Sequence, residues 1–225
     1  MSNLQTNFAQ VQRRIDDAAR RSNRDPQEVA LVAVSKSVSS DTVLHARDEC
    51  DHVLFGENRA DELVRKVAAC PGIDFHYIGP LQTNKVRKVV GNASLIHSVD
   101  SERLLRAIDN RAKLAELKQA VLIQVDISKE EAKQGIDPRE LDALLHIANS
   151  ELSNVQVNGL MTMAPFASAE DVRWIFEDLR KLRDETNSDG PSVLLEELSM
   201  GMTGDFEAAI EEGATLVRVG TALFA

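Results

Sequence analysis

The chain has 225 residues, and 26 Lys and Arg against 36 Asp and Glu leave a formal charge of −10 at pH 7. That balance argues against a general nucleic-acid binder, whose approach to a polyanion would begin from repulsion. A hydrophobic fraction of 43% suffices for a sizeable core, and the length suits one α/β barrel or two small units.

The opening MSNLQTNFAQVQRRIDDAARR is polar and amphipathic, without the apolar centre of a secretory signal. No run approaches the roughly 20 apolar residues of a membrane span, so a soluble, cytoplasmic protein with no membrane partner is expected. Cys50 and Cys70 fit neither a CxxC nor a Cys/His ligand spacing. They read as ordinary thiols on helices, without a disulfide framework or a metal site. With one Trp and one Tyr there is no stacking platform for single-stranded nucleic acid.

In chain order, a helix over about 4–21 precedes the run VALVAVS at 29–35, whose unbroken apolar, β-branched character marks a strand buried on both faces. Seven more strand candidates follow, at 52–56, 75–79, 95–99, 120–127, 155–163, 195–200 and 215–220. Between them, apolar residues at i, i+3, i+4 spacing predict helices over 41–50, 58–70, 84–90, 101–118, 138–152, 168–185 and 205–212. Capping residues agree: Asp100-Ser101-Glu102, Asp137-Pro138 and Gly213 fall at helix limits. The charged stretch RWIFEDLRKLRDE reads as a solvated helix face with i, i+4 pairs.

Strict β-α alternation through eight units predicts a single-domain TIM-type (β/α)8 barrel over 1–225. The leading helix would complete the helical ring, because almost nothing follows the last strand. An open doubly wound sheet would show a glycine-rich turn after its first strand, and Ser35-Lys36-Ser37-Val38 has no glycine.

In a barrel the active groups sit at the C-terminal strand ends, and phosphate favours the loops after strands 7 and 8. Lys36 closes strand 1, where a partly desolvated primary amine could form a Schiff base with an aldehyde. Arg218 lies within strand 8 between valines and needs a partner, either a strand carboxylate such as Glu196 or Glu197 or a ligand. Ser199, Gly220 and Thr221 offer hydroxyls and backbone N–H groups to a phosphate monoester. Thr203-Gly204-Asp205 opens a helix, either as plain caps or as an anion site. His45, His52, His76, His97 and His146 read as satisfied structural histidines, since no HExxH or HxH pair occurs. No GxSxG elbow or P-loop is present.

The segments LVAVSK, FGENR, FHYIGPLQTNK, GLMTM and LSMGMTGDFEAAIEEGATLVRVGTALF, in this order, resemble the pyridoxal-phosphate homeostasis family, whose fold is that of the N-terminal barrel domain of alanine racemase. The resemblance runs from about Val29 to Phe224. It implies pyridoxal 5'-phosphate as cofactor, held as an aldimine on Lys36. Asn58 would lie beside the ring, Ser199, Thr203, Gly220 and Thr221 would hold the phosphate, and Arg218 would face the pyridine nitrogen. An arginine there disfavours ring protonation and weakens carbanion chemistry. Gly204 and Ala214 depart from the family pattern by losing polar groups, and Thr203 stands where serine is usual.

The resemblance implies a carrier in vitamin B6 homeostasis rather than an established enzyme, with apo-enzymes as possible recipients and a monomer as the expected state. The alternative is a pyridoxal-phosphate-dependent amino-acid racemase of low activity. The expectation that the chain ends after strand 8, with no second domain to supply a tyrosine base and Tyr77 mid-strand, weighs against it. A cofactor-free Schiff-base aldolase is a third possibility.

Overall fold

A computed structural model of the chain describes residues 2–128, 134–188 and 194–225. The eight apolar runs become β1 (Ala30–Val34), β2 (Leu54–Glu57), β3 (Asp74–Tyr77), β4 (Leu95–Val99), β5 (Gln119–Gln124), β6 (Val155–Met161), β7 (Glu197–Ser199) and β8 (Leu216–Val219). Each pairs in parallel with the next and β8 pairs with β1, closing a barrel in sequence order. Such strands need apolar side chains on both faces. Those facing inward make a small cluster of Val32, Leu95, Leu122, Met161 and Leu216 in the bore, and the rest join the larger layer beneath the helices.

The helices are α1 (Asn3–Arg21), α2 (Ser40–Cys50), α3 (Ala60–Ala69), α4 (Val86–Val89), α5 (Glu102–Leu114), α6 (Leu141–Glu151), α7 (Ala169–Ser188), α8 (Phe206–Glu211) and α9 (Thr221–Phe224). α1 starts at a capping box in which Ser2 and Gln5 bond each other's backbone, and it buries Phe8, Val11, Ile15, Ala18 and Ala19. It packs against α8, α9 and α2, so it fills the place between the last and first helices of the ring, as expected.

Several limits differ from the sequence reading, each for a local reason. The helix expected from residue 58 begins at Ala60, because Asn58 lies in the bend after β2 and Arg59, the N-cap, is extended at φ −127° and ψ 123°. The stretch 84–90 is a 3₁₀ turn, Thr83–Lys85, followed by the single turn of α4. α5 stops at Leu114, where Glu116 takes φ 54° and Leu117 N–H returns to the Ala112 carbonyl. α9 was not expected. It places Phe224 against Phe8 of α1, ring centroids 5.8 Å apart.

Candidate functional site

Strand parity decides which side chains enter the bore. Val32 and Leu216 belong to the bore cluster, and Val32 is paired with Arg218, two residues beyond Leu216. Leu95 is also in that cluster, with His97 two residues on, and His76 pairs with Leu95. The inward face at mid-barrel is therefore polar.

These residues form one hydrogen-bonded chain. Arg218, 5% exposed, donates from Nη1 to Ser199 Oγ at 2.5 Å and from Nη2 to the Thr162 carbonyl at 3.0 Å. Ser199 Oγ lies 2.8 Å from His97 Nδ1, and His97 Nε2 lies 2.9 Å from His76 Nδ1. Burial pushes both imidazoles below the usual histidine range, His76 to about 4, and His97 is lowered further by the neighbouring His76 and Arg218. Burial also lowers the guanidinium of Arg218 to about 10, against the opposing charge of Asp205.

Two expectations change here. Arg218 has no ion pair with Glu196 or Glu197: the Glu197 carboxylate accepts from the Thr215 hydroxyl, and both glutamates line a cleft beside Ala30 and Leu216 at the strand starts. Ser199, expected at a phosphate, is fully buried with its hydroxyl engaged by Arg218 and His97. Its parity points it inward, behind the arginine rather than toward the rim. The two histidines read only as structural residues are the ones that complete this chain.

At the rim, Lys36 follows β1 in a turn closed by the Val38 N–H to the Ser35 carbonyl at 3.1 Å. The amine expected to be partly desolvated is exposed. Asn58, just past β2, is half-buried, and its Oδ1 is buried without a partner. The loop after β7 contains Gly201 at φ 90°, and the loop is tied to β8 by Arg218 N–H donating to the Gly201 carbonyl at 3.0 Å. Asp205 occupies the N-cap position of α8 but caps nothing; its Oδ1 accepts from Met202 N–H at 2.5 Å and closes the loop. The backbone N–H groups of Thr203, Gly204, Gly220 and Thr221 meet no acceptor among the described residues. A Cβ at Gly220 would stand 3.3 Å from Val34 Cβ and its carbonyl oxygen, so the backbone there lies close against the end of β1. Ala214, which departs from the family pattern, is buried before β8, at the end of the barrel away from Lys36.

The rim thus carries an exposed primary amine, an unpartnered amide oxygen and a run of unspent N–H donors, with a buried cation in the bore behind them. An amine suits a carbonyl carbon, free N–H groups beside hydroxyls suit a phosphate, and a guanidinium suits a ring acceptor. Sequence reading singled out the amine, the arginine and both loops. It missed the histidine chain, whose only trace is polar residues at alternate positions of apolar strands.

The profile of the family "alanine racemase, N-terminal domain" matches residues 3–225. The pyridoxal phosphate homeostasis protein of Aquifex aeolicus is 43% identical over 220 residues, covering 96% of this chain and 95% of the relative. A crystal structure of an unknown protein from Bifidobacterium adolescentis superposes with a TM-score of 0.90 at 34% identity, over 98% of this chain and 94% of the other. PipY of Synechococcus elongatus, solved with PLP bound, superposes with a TM-score of 0.82 at 35% identity, over 94% of this chain and all (100%) of that one. Identity at this level over nearly the whole of both chains, on a shared closed barrel, places this chain in the pyridoxal phosphate homeostasis protein family, within the larger family of the alanine racemase N-terminal domain.

Proposed function

We propose that this protein binds pyridoxal 5'-phosphate reversibly on Lys36, as a Schiff base, and serves intracellular homeostasis of that cofactor rather than turnover of an amino acid. The observation that carries the reading is Arg218: a cation held in the bore by Ser199 and the Thr162 carbonyl, with no carboxylate bonded to it among the described residues. When bound, the cofactor supplies an aldehyde to the lysine amine. Lys36 presents that amine at the rim. Asn58, with its unpartnered Oδ1, would lie beside the ring, and Thr203, Gly220 and Thr221 would hold the phosphate with hydroxyls and backbone N–H groups.

Arg218 would face the pyridine nitrogen, where a permanent cation would disfavour a proton, so the bound ring would withdraw electrons less than it would opposite a carboxylate. Ser199 acts through Arg218, not on the phosphate. The sole tyrosine, Tyr77, donates its hydroxyl to the Pro80 and Asn58 carbonyls at 3.2 and 3.4 Å, which leaves the racemase reading without a tyrosine base from this chain. The names of the curated relatives and the PLP-bound PipY support the same cofactor. In this reading the protein acts as a cytoplasmic monomer that passes cofactor to apo-enzymes.

The test adds pyridoxal phosphate to purified protein and follows the visible absorbance band. Borohydride is expected to fix the cofactor on Lys36, and Lys36→Ala to abolish the band. A band retained in that variant moves the aldehyde elsewhere. Exchange of solvent deuterium into the α-carbon of an amino acid, at turnover rates, overturns the carrier reading in favour of a racemase. Movement of the chromophore to an added apo-enzyme shows delivery, and light scattering reads the oligomeric state.

A further inference from the structure

Outside the chain of residues just described, the most heavily buried charges in the barrel are Glu57 and Lys66, with side chains 0% and 4% exposed. Lys66 lies on the inner face of α3 and pairs with Glu57 Oε1 at the end of β2. Both groups converge on one residue, Ser35, which immediately precedes Lys36. Ser35 Oγ donates to Glu57 Oε1 at 2.6 Å, and the Ser35 carbonyl accepts from Lys66 Nζ at 2.5 Å. The Ser35 N–H donates to the Gly56 carbonyl at 3.0 Å, and the same Ser35 carbonyl accepts from Val38 N–H at 3.1 Å. Every polar group of Ser35 is therefore held, and Lys36 is the next residue in a turn whose first carbonyl is pinned from below.

A buried ion pair is an expensive way to fill space. Desolvating two charges costs several kcal/mol, and apolar residues of similar size are often as stabilising or more so. Glu57 Oε2 adds to the cost, since it is buried without a partner. The other buried positions of α3, Ala60 and Leu63, show that the same helix face packs with apolar side chains where packing is all that is needed. The outlay falls where it fixes the backbone of the rim amine, whose long side chain otherwise starts from an exposed turn.

We propose that the Glu57–Lys66 pair is a positioning device for Lys36: it holds the Ser35–Val38 turn so that the amine starts from a fixed point at the barrel mouth. The inference rests on the assignment of Lys36 as the cofactor lysine. Neither charged residue touches the cofactor, and both act through Ser35.

The test compares wild type with Glu57→Gln, with Glu57→Gln/Lys66→Met, which leaves no lone buried charge, and with Ser35→Ala, which leaves the ion pair in place. Hydrogen exchange of the Val38 amide is measured on protein without added cofactor. The double variant is expected to exchange at least tenfold faster there, and Ser35→Ala about threefold. On addition of pyridoxal phosphate, the visible band is expected to grow about tenfold more slowly in the double variant. Its circular dichroism per unit absorbance should fall at least twofold, with far-UV dichroism unchanged. A lower folded fraction alone does not lower dichroism per bound chromophore.

Val38 exchange and band growth within twofold of wild type in the double variant overturn the proposal. Ser35→Ala decides by the same threefold measure if the double variant does not fold. A wild-type protein with no visible band defeats the cofactor assignment, whereas an unchanged Val38 exchange rate defeats the clamp, so the two failures are distinguishable.

Discussion

Arg218 donates from Nη1 to the hydroxyl oxygen of Ser199 at 2.5 Å, and that bond sets the direction of every proton behind it. A guanidinium has only donors, so the Ser199 O–H is left to donate, and His97 Nδ1 is its remaining partner among the described residues. His97 then carries its proton on Nε2 and gives it to His76 Nδ1, which leaves the His76 proton on Nε2. Both rings are expected as neutral Nε2–H tautomers at pH 7, read by nitrogen chemical shifts in specifically labelled protein. A proton on His97 Nδ1, or titration of either ring near the ordinary 6.5, breaks the chain as described.

The same burial makes stability depend on pH with a defined sign. The folded-state pKa of His76 is lowered to about 4, and that of His97 is also lowered, so between the ordinary value of 6.5 and about 4 the unfolded chain binds protons that the folded one does not. Stability from these groups is fully present above about 6.5 and is lost as the pH falls toward 4. Melting temperature is expected to drop on going from pH 7 to pH 4.5, and His97→Gln is expected to flatten that slope. A slope of equal steepness in the variant assigns the effect to the carboxylates instead.

Gly159 and Gly204 separate a structural glycine from a permissive one. A Cβ at Gly159 would stand 2.0 Å from the Glu197 carbonyl oxygen and 2.7 Å from its nitrogen, where β7 pairs against β6 just past the register shift between Val121 and Leu122. Backbone cannot swing away as a flexible side chain can, so Gly159→Ala is expected to cost about 3 kcal/mol or more in urea unfolding. At Gly204 a Cβ meets nothing within 4 Å, and Gly204→Ala is expected to be neutral or stabilising by up to about 1 kcal/mol. Equal losses at the two positions contradict the packing described.

How much of this was legible in the sequence depended on whether a feature is local. Eight strands could be read because a strand buried on both faces needs an unbroken apolar run, and Lys36 stood out because a cation ended the first of them. Arg218 was found the same way, by a charge between two valines. Ser199 beside Met-Gly-Met-Thr-Gly looks like a phosphate ligand in the sequence, whereas its register against β6 and β8 turns it into the bore, bonded to Arg218 and His97. His76, His97, Glu57 and Lys66 gave no signal by spacing. Their partners are 21, 102, 9 and 31 residues away, so they meet only through strand pairing, helix packing on the barrel and, for His97 with Ser199, contact across the bore. α9 escaped because four residues are too few to show a period.

The role of α1 in closing the ring predicts a loss of stability without a loss at the rim. Ile15 is fully buried in the layer between α1 and the barrel, and Arg24, just beyond α1, donates from Nη1 to the carbonyls of Ile210 and Ala214, both at 2.8 Å. Ile15→Ala removes buried methyl groups and leaves a cavity, which costs about 2–5 kcal/mol. Arg24→Ala strands the Ala214 carbonyl and leaves the Ile210 carbonyl with the Gly213 N–H, for about 1–3 kcal/mol. Both contacts belong to the outer layer or to the strand-start end of the barrel, whereas Lys36 is at the other end. Urea midpoints are expected to fall in both variants with the slope of the transition unchanged, while the rate at which the visible band grows at Lys36 stays within twofold of wild type. A slowed band in Ile15→Ala at temperatures where it remains folded makes α1 part of the site rather than the closure of the ring.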